Sequence, residues 1–158
     1  MKNWELIESV QIEVYKHLKL EWLSSQSTEW YDYIVSLPER FQITYLVVIY
    51  HNQVFNGGHD QWFINHYGQF ASETIRSLKL IGADRKADLL KEAFTLVNHK
   101  NDPDKIFRSK VLANHPELMR ALDFVSLRLN EIDSAYYATE NDEDIQTLLG
   151  SYLAKVTN

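Results

Sequence analysis

The chain has 158 residues, of which 45% are apolar, 13% aromatic and 24% charged, and it contains no cysteine. That length suits one domain that buries roughly 70% of its unfolded surface without a disulfide or metal staple, and the composition excludes a disordered tail. Lack of cysteine excludes thiol nucleophiles, iron–sulfur clusters and zinc–thiolate sites, while a net charge of −6 argues against direct contact with DNA or RNA backbones.

The N-terminus, Met1-Lys2-Asn3-Trp4-Glu5, leads into a mixed polar and apolar stretch rather than a targeting segment. The longest uninterrupted apolar run, Tyr45 to Tyr50, falls short of the ~20 residues a membrane-spanning helix needs, so a cytoplasmic protein is expected.

Helical periodicity runs through almost the whole chain. Ile7, Val10, Val14 and Leu18 place a stripe on a first helix. Ser24 to Thr28 interrupts it, and Ser27 or Thr28 can cap a short helix from Trp30 to Val35. Pro38 suits the first turn of a third helix. Within that segment Leu46-Val47-Val48-Ile49-Tyr50 has strand propensity, but no second such segment exists to pair with it. A buried central helix is the better reading.

Asn56-Gly57-Gly58 is expected to end this helix in a left-handed turn. A short helix from about His59 to Tyr67 follows, stopped by Gly68. The next runs from about Phe70 to Ile81, with Ala71, Ile75 and Leu78 on one face and Gly82 closing it. Asp84 is placed as the cap of a helix whose inner face is Ala87, Leu90, Phe94 and Val97, and Asp102-Pro103 opens another short piece. Leu118, Leu122, Val125, Leu129, Ile132 and Tyr136 read as one helix of about five turns. Asn141-Asp142-Glu143-Asp144 then caps a last helix carrying Ile145, Leu148, Tyr152 and Val156. The expectation is one all-α domain over residues 1–158, with eight or nine helices, no internal repeat and no linker.

No phosphate-binding glycine loop, His-Glu-x-x-His, Gly-x-Ser-x-Gly or calcium loop occurs, so no catalytic residue, metal or cofactor is assigned. Three constellations remain. His51, His59, His66 and Asp60 are ligand-type residues from which a metal-dependent hydrolase could be built. The seven-residue step between His59 and His66 spans ~10 Å along a helix, which favours surface or hydrogen-bonded core histidines instead. Trp62, Phe63, Tyr67 and Phe70 read as core or as a pocket wall, with Gln61 and Asn65 tying down loop backbone.

The third constellation is acidic. Residues 1–40 carry seven acids and four bases (−3), residues 41–130 nine and eleven (+2), and residues 131–158 six and one (−5). Glu131, Asp133, Glu140, Asp142, Glu143 and Asp144 are either a solvated helix start or a patch that imitates a row of phosphates and attracts a basic protein.

The stretch Asn56-Gly57-Gly58-His59-Asp60-Gln61-Trp62-Phe63-Ile64-Asn65, with the helix ending Ile81-Gly82-Ala83, resembles a bacterial DNA-mimic protein family. The ending is similar too, in Leu129-Asn130-Glu131-Ile132-Asp133 through Tyr136 and in Leu148-Leu149-Gly150-Ser151-Tyr152, so the likeness spans roughly residues 40 to 155. The resemblance implies an all-α fold, a homodimer, and a protein partner that normally binds DNA, such as a transcription factor or nucleoid-type protein. A toxin-neutralising immunity protein and the hydrolase are the alternatives. The residues that carry the resemblance, Asn56, Gly57, Gly58, Gln61, Trp62, Phe63, Asn65 and Gly82, are structural in type and lie outside the acidic segments.

Overall fold

The computed structural model describes residues 1–157 and is all-α, with nine α-helices and no strand among them. The helices are α1 (Asn3–Tyr15), α2 (Glu29–Ser36), α3 (Glu39–Ile64), α4 (Ala71–Leu80), α5 (Asp84–Val97), α6 (Asp104–Leu112), α7 (Pro116–Phe124), α8 (Ser126–Ala138) and α9 (Ile145–Thr157). Two short 3-10 turns, Leu20–Ser24 and Tyr67–Phe70, join α1 to α2 and α3 to α4. No described helix is long and apolar enough to cross a membrane.

Helix α3 is the axis of the fold. Leu46, Val47, Tyr50 and Val54 are buried along it, and α1, α4, α8 and α9 pack around it. The strand-like run is therefore helical, because its apolar residues find neighbours on several sides. A second, smaller apolar cluster joins Val14, Trp30, Ile34, Tyr45, Leu46 and Phe70, and Phe41 and Tyr67 pack against both clusters.

Several boundaries differ from the sequence reading. The expected break at Asn56-Gly57-Gly58 is present: Gly58, at φ 79° and ψ −179°, separates α3 into a long helix and a short one that starts at His59, but the short one ends at Ile64 and not near Tyr67. Its C-terminal cap is Asn65, and His66 rather than Gly68 takes the left-handed conformation that follows. Gly82 does close α4. It lies at φ 87°, its N–H donates to the Lys79 carbonyl at 3.1 Å, and the Ala83 N–H donates to Leu78 at 2.9 Å. That is the paired hydrogen-bond pattern of a glycine-ended helix.

Pro38 and Pro103 sit one position earlier than expected, as the capping residues of α3 and α6. The long periodic segment after Pro116 is two helices, broken at Val125 (φ −98°, ψ 10°). The apolar period survives the break, with Leu118, Leu122, Leu129, Ile132 and Tyr136 all buried, so periodicity alone could not show it.

Gly58 holds a backbone conformation that is essentially restricted to glycine, and a Cβ there would lie 2.3 Å from Asp133 Oδ2. Gly57 has ordinary helical geometry, and a Cβ on it would meet the Gln61 side chain. Gly58→Ala is therefore expected to cost about 1–3 kcal/mol from backbone strain alone, and more once Asp133 is displaced. Gly57→Ala should cost less, because residue 57 keeps helical geometry, although Gln61 and its bond to Gln53 must shift to admit the methyl group. Urea titrations of the two variants measure the difference, and equal losses would contradict the assignment of the kink to Gly58.

Candidate interaction surface and the polar frame beneath it

The kink at Gly58 frees backbone groups that a straight helix would pair. Asp133, from α8, meets this need: its Oδ1 accepts from the His59 backbone N–H at 2.9 Å and from the His59 ring Nδ1 at 2.6 Å. A carboxylate only accepts, so Nδ1 carries the proton of that bond. The other ring nitrogen, Nε2, lies 2.6 Å from the Tyr50 hydroxyl. Burial, with Tyr136 and Asp133 nearby, pushes the Tyr50 phenol well above its ordinary range, so it stays protonated and donates to Nε2. His59 is fully buried with both ring nitrogens satisfied.

A second buried assembly joins α5 to the α8–α9 connection. Lys86 is completely buried. Its ammonium donates to Thr139 Oγ1 at 2.6 Å and to the Glu143 carbonyl at 2.8 Å, and it pairs with Glu140 Oε1 at 2.9 Å. It also lies 4.6 Å from the centre of the Tyr136 ring, within cation–π range. The Glu143 carboxylate turns the other way and accepts from the backbone N–H groups of Arg85 (2.8 Å) and Lys86 (2.9 Å). Those are unpaired amides of the first turn of α5, where helix geometry leaves donors free and a negative charge is favourable. Asp84 is thus not the cap: Ala83 holds that position, and the capping carboxylate comes from a residue distant in sequence.

The six acidic residues singled out in the sequence fall into different surroundings. Asp133 serves His59 and Glu143 serves α5. Glu140, with its side chain about one-third exposed, pairs with Lys86. Glu131 is exposed and lies 2.6 Å from Arg128, which also pairs with Glu92. Asp144 is exposed and caps α9, accepting from the Thr147 N–H at 2.9 Å and from its hydroxyl at 2.6 Å. Asp142 is exposed and forms no ion pair among the described residues. The capping carboxylates bring a seventh acid into the group. Asp84 is exposed and directly precedes the two residues that Glu143 holds.

The histidines do not converge. His51 Nδ1 lies 2.7 Å from the Tyr136 hydroxyl, His59 is enclosed as above, and His66 Nε2 meets Asn114 at 3.1 Å. No group of three or more His, Asp or Glu side chains among the described residues could hold a metal ion. The hydrolase constellation of His51, His59, His66 and Asp60 is therefore not assembled by the fold. Trp62, Phe63 and Phe70 are core, with Tyr67 packed against it. Gln61 and Asn65 do not tie down loop backbone. Both donate to the side-chain carbonyl of Gln53, on α3 before the kink, at 3.1 and 3.0 Å.

What these elements define is a small helical protein with a braced, acid-bearing end and no cluster able to hold a metal ion among its described residues. The DMP19-like protein family model matches residues 35–156, and the chain belongs to that family. Membership points to a DNA-mimic protein, in a family that is typically non-enzymatic. No curated protein and no solved structure matches the chain.

Two predictions test the frame. Glu143→Ala removes the cap of α5 and should cost about 1–2 kcal/mol, as loss of a helix cap does. Asp142→Ala should stay within about 0.5 kcal/mol, as for an exposed residue without partners. Denaturant unfolding of both variants compares them directly, and a neutral Glu143→Ala would contradict the capping role.

The second concerns pH. Burial lowers the His51 imidazole below its ordinary value of 6.5, Lys86 adds to this, and Glu140 and Asp144 oppose it. The unfolded chain then takes up the proton at higher pH than the folded chain does. This contribution to stability is intact above pH 6.5 and is lost as pH falls from there toward the lower folded value. His51→Gln should reduce the slope of stability against pH in that interval. An unchanged slope would show that His51 does not titrate differently on folding.

Proposed function

We propose that the protein is a non-enzymatic binding module that occupies the DNA-binding surface of a basic protein, a transcription factor or nucleoid-type protein. The observation that carries this reading is membership of the DMP19-like family across residues 35–156. The acid-rich end formed by the α8–α9 connection and the first turn of α5 supports it, because it gathers carboxylates on a braced surface.

The placement of each acid narrows the contact set. Asp142, Asp144 and Asp84 are exposed, and Glu140 borders them. We assign the phosphate-imitating role to these four. Asp133 and Glu143 hold the frame, and Glu131 belongs with Arg128 on the side of α8. The homodimer that the family resemblance implies would present this face twice, and sedimentation of the free protein reads the mass that decides it.

The experiment is capture of the partner from a bacterial lysate, followed by binding measurements on the isolated pair. Affinity should fall steeply with salt, as charge-driven association does. A DNA duplex that the partner recognises should displace the protein. Combined replacement Asp84→Asn, Asp142→Asn and Asp144→Asn keeps shape, and the amide introduced by Asp144→Asn can still cap α9. It should weaken binding by about ten-fold or more, roughly 1.4 kcal/mol per decade, with an unchanged melting temperature. A triple variant that binds as tightly as wild type, or a partner that holds DNA and this protein together, would overturn the reading.

A further inference from the structure

A depression of about 240 Å³ lies between α6 and the segment before α2, and it is basic. Its lining includes Lys105, Arg108 and Ser109 from α6 and Gln26 and Thr28 from the segment before α2. Lys105 and Arg108 are three residues apart, one turn of α6, and so share a face. Neither forms an ion pair with any described carboxylate, although the chain carries 22 acids against 16 bases. The neighbouring Lys110 is by contrast spent, in the chain Lys100–Glu117–Lys110–Asp102.

Arg108 is nonetheless held in place. Its guanidinium lies 3.6 Å from the centre of the Tyr31 ring, and that ring stacks on Phe70 with a 15° interplanar angle. The Tyr31 hydroxyl donates to Glu73 at 2.9 Å, which fixes the ring from its far end. Stacking uses the face of a guanidinium and leaves its in-plane N–H groups to other acceptors. Among the described residues no side chain accepts from them, and the buried Nε–H has no acceptor. A positioned arginine with unmet donors, an unpaired lysine one turn away and a free serine hydroxyl beside it form a set of donors that lacks an acceptor.

We propose that this depression binds a phosphate-sized oxyanion, as free phosphate or as the phosphate of a small monoester. Arg108 supplies the directional donors, Lys105 the second positive charge, and Ser109 and Gln26 neutral donors at the rim. Thr28 contributes shape rather than a proton, because its hydroxyl already donates to Asp32 at 2.9 Å. Size sets the ligand class. The volume is below the roughly 300–1,000 Å³ of pockets that enclose drug-sized molecules, so it suits one anionic group and not a whole nucleotide. The site is independent of the acidic face: α6 packs on the Tyr67–Phe70 turn and on α7, and the two surfaces have opposite charge.

The test is an amide chemical-shift titration of the whole protein with inorganic phosphate, with glycerol 3-phosphate in parallel and sodium chloride at matched ionic strength as control. Saturable shifts confined to residues 26–28 and 105–113 are expected with phosphate and absent with chloride. Stronger saturation by glycerol 3-phosphate would identify the monoester as the better source, and stronger saturation by phosphate the free ion. Lys105→Gln should raise the dissociation constant at least five-fold. Arg108→Gln should abolish binding, but it also removes the Tyr31 stack and could loosen the fold. Ser109→Asp is therefore the decisive variant: it is exposed, lies outside the stack and places a negative charge at the rim. It should melt like wild type and lose phosphate binding. Shifts no larger than those from chloride, or binding by Lys105→Gln and Ser109→Asp as tight as wild type, would overturn the proposal.

Discussion

The Asp133 carboxylate, seated against the bare backbone of Gly58, is the constraint on which the rest of the structure depends. A central helix of 26 residues would present its faces at fixed angles from end to end. One residue at φ 79° redirects its last six residues without breaking its burial. The redirection leaves the His59 N–H in need of an acceptor, and a buried donor without one costs about 1–3 kcal/mol. Asp133 supplies that acceptor and binds the imidazole of the same residue, so one carboxylate fixes both backbone and side chain. Its approach requires that residue 58 have no Cβ. The glycine therefore serves two ends at once, the backbone conformation and the space for α8.

From that point polar and aromatic contacts run in series through the apolar core. Asp133 binds His59, His59 meets Tyr50, and the Tyr50 ring packs edge-on against Tyr136 at 5.5 Å. Tyr136 in turn reaches His51 through its hydroxyl and the buried Lys86 ammonium through its ring. Lys86 ends the path at Thr139, Glu140 and Glu143. Burying an ammonium is costly unless every proton finds a partner, and truncating either side of such a pair leaves an uncompensated group. These contacts fix α3, α5, α8 and the start of α9 to one another in a way that apolar packing, which is non-directional, would not.

Much of this architecture could be read from the residues. Apolar period gave the helices α1, α2, α4, α5 and α9, although Asp84 does not cap α5, and Gly82 and Asp144 end and start theirs as their residue types suggest. Lys86 was also legible in principle. It falls on the inner stripe of α5, between Ala83 and Leu90, where a lysine needs an internal partner. The partners themselves were not legible, because Glu143 and Asp133 act across 57 and 74 residues of chain. A carboxylate that caps a distant helix looks, in sequence, the same as one that faces solvent. The break at Val125 escaped for a related reason: a single non-helical residue shifts a helix axis while leaving the order of apolar residues intact. The positive φ belonged to the glycine pair as expected, but which glycine bore it depended on the side of the helix from which Asp133 arrives.

The same distinction governs how an acidic protein with a charge of only −6 could imitate DNA. Counting carboxylates overstates the available field, since Asp133, Glu143 and in part Glu140 are spent inside. What the spent acids provide is position. The turn from Thr139 to Asp144 is held by Asp142 N–H and Glu143 N–H donating to the Thr139 carbonyl at 3.0 and 2.8 Å, and by the buried Thr139 and Glu143 contacts with Lys86. Asp142 and Asp144 project from this clamped turn, and Asp84 from the helix start that Glu143 caps. Charges fixed in this way need not be ordered when a partner arrives, so less entropy is lost on binding than for carboxylates on a mobile tail. A small number of carboxylates at set separations can match the spacing of basic side chains on a DNA-binding surface, where a larger diffuse charge would attract without discriminating. On the proposed reading, the internal acids would supply the rigidity on which the external ones depend.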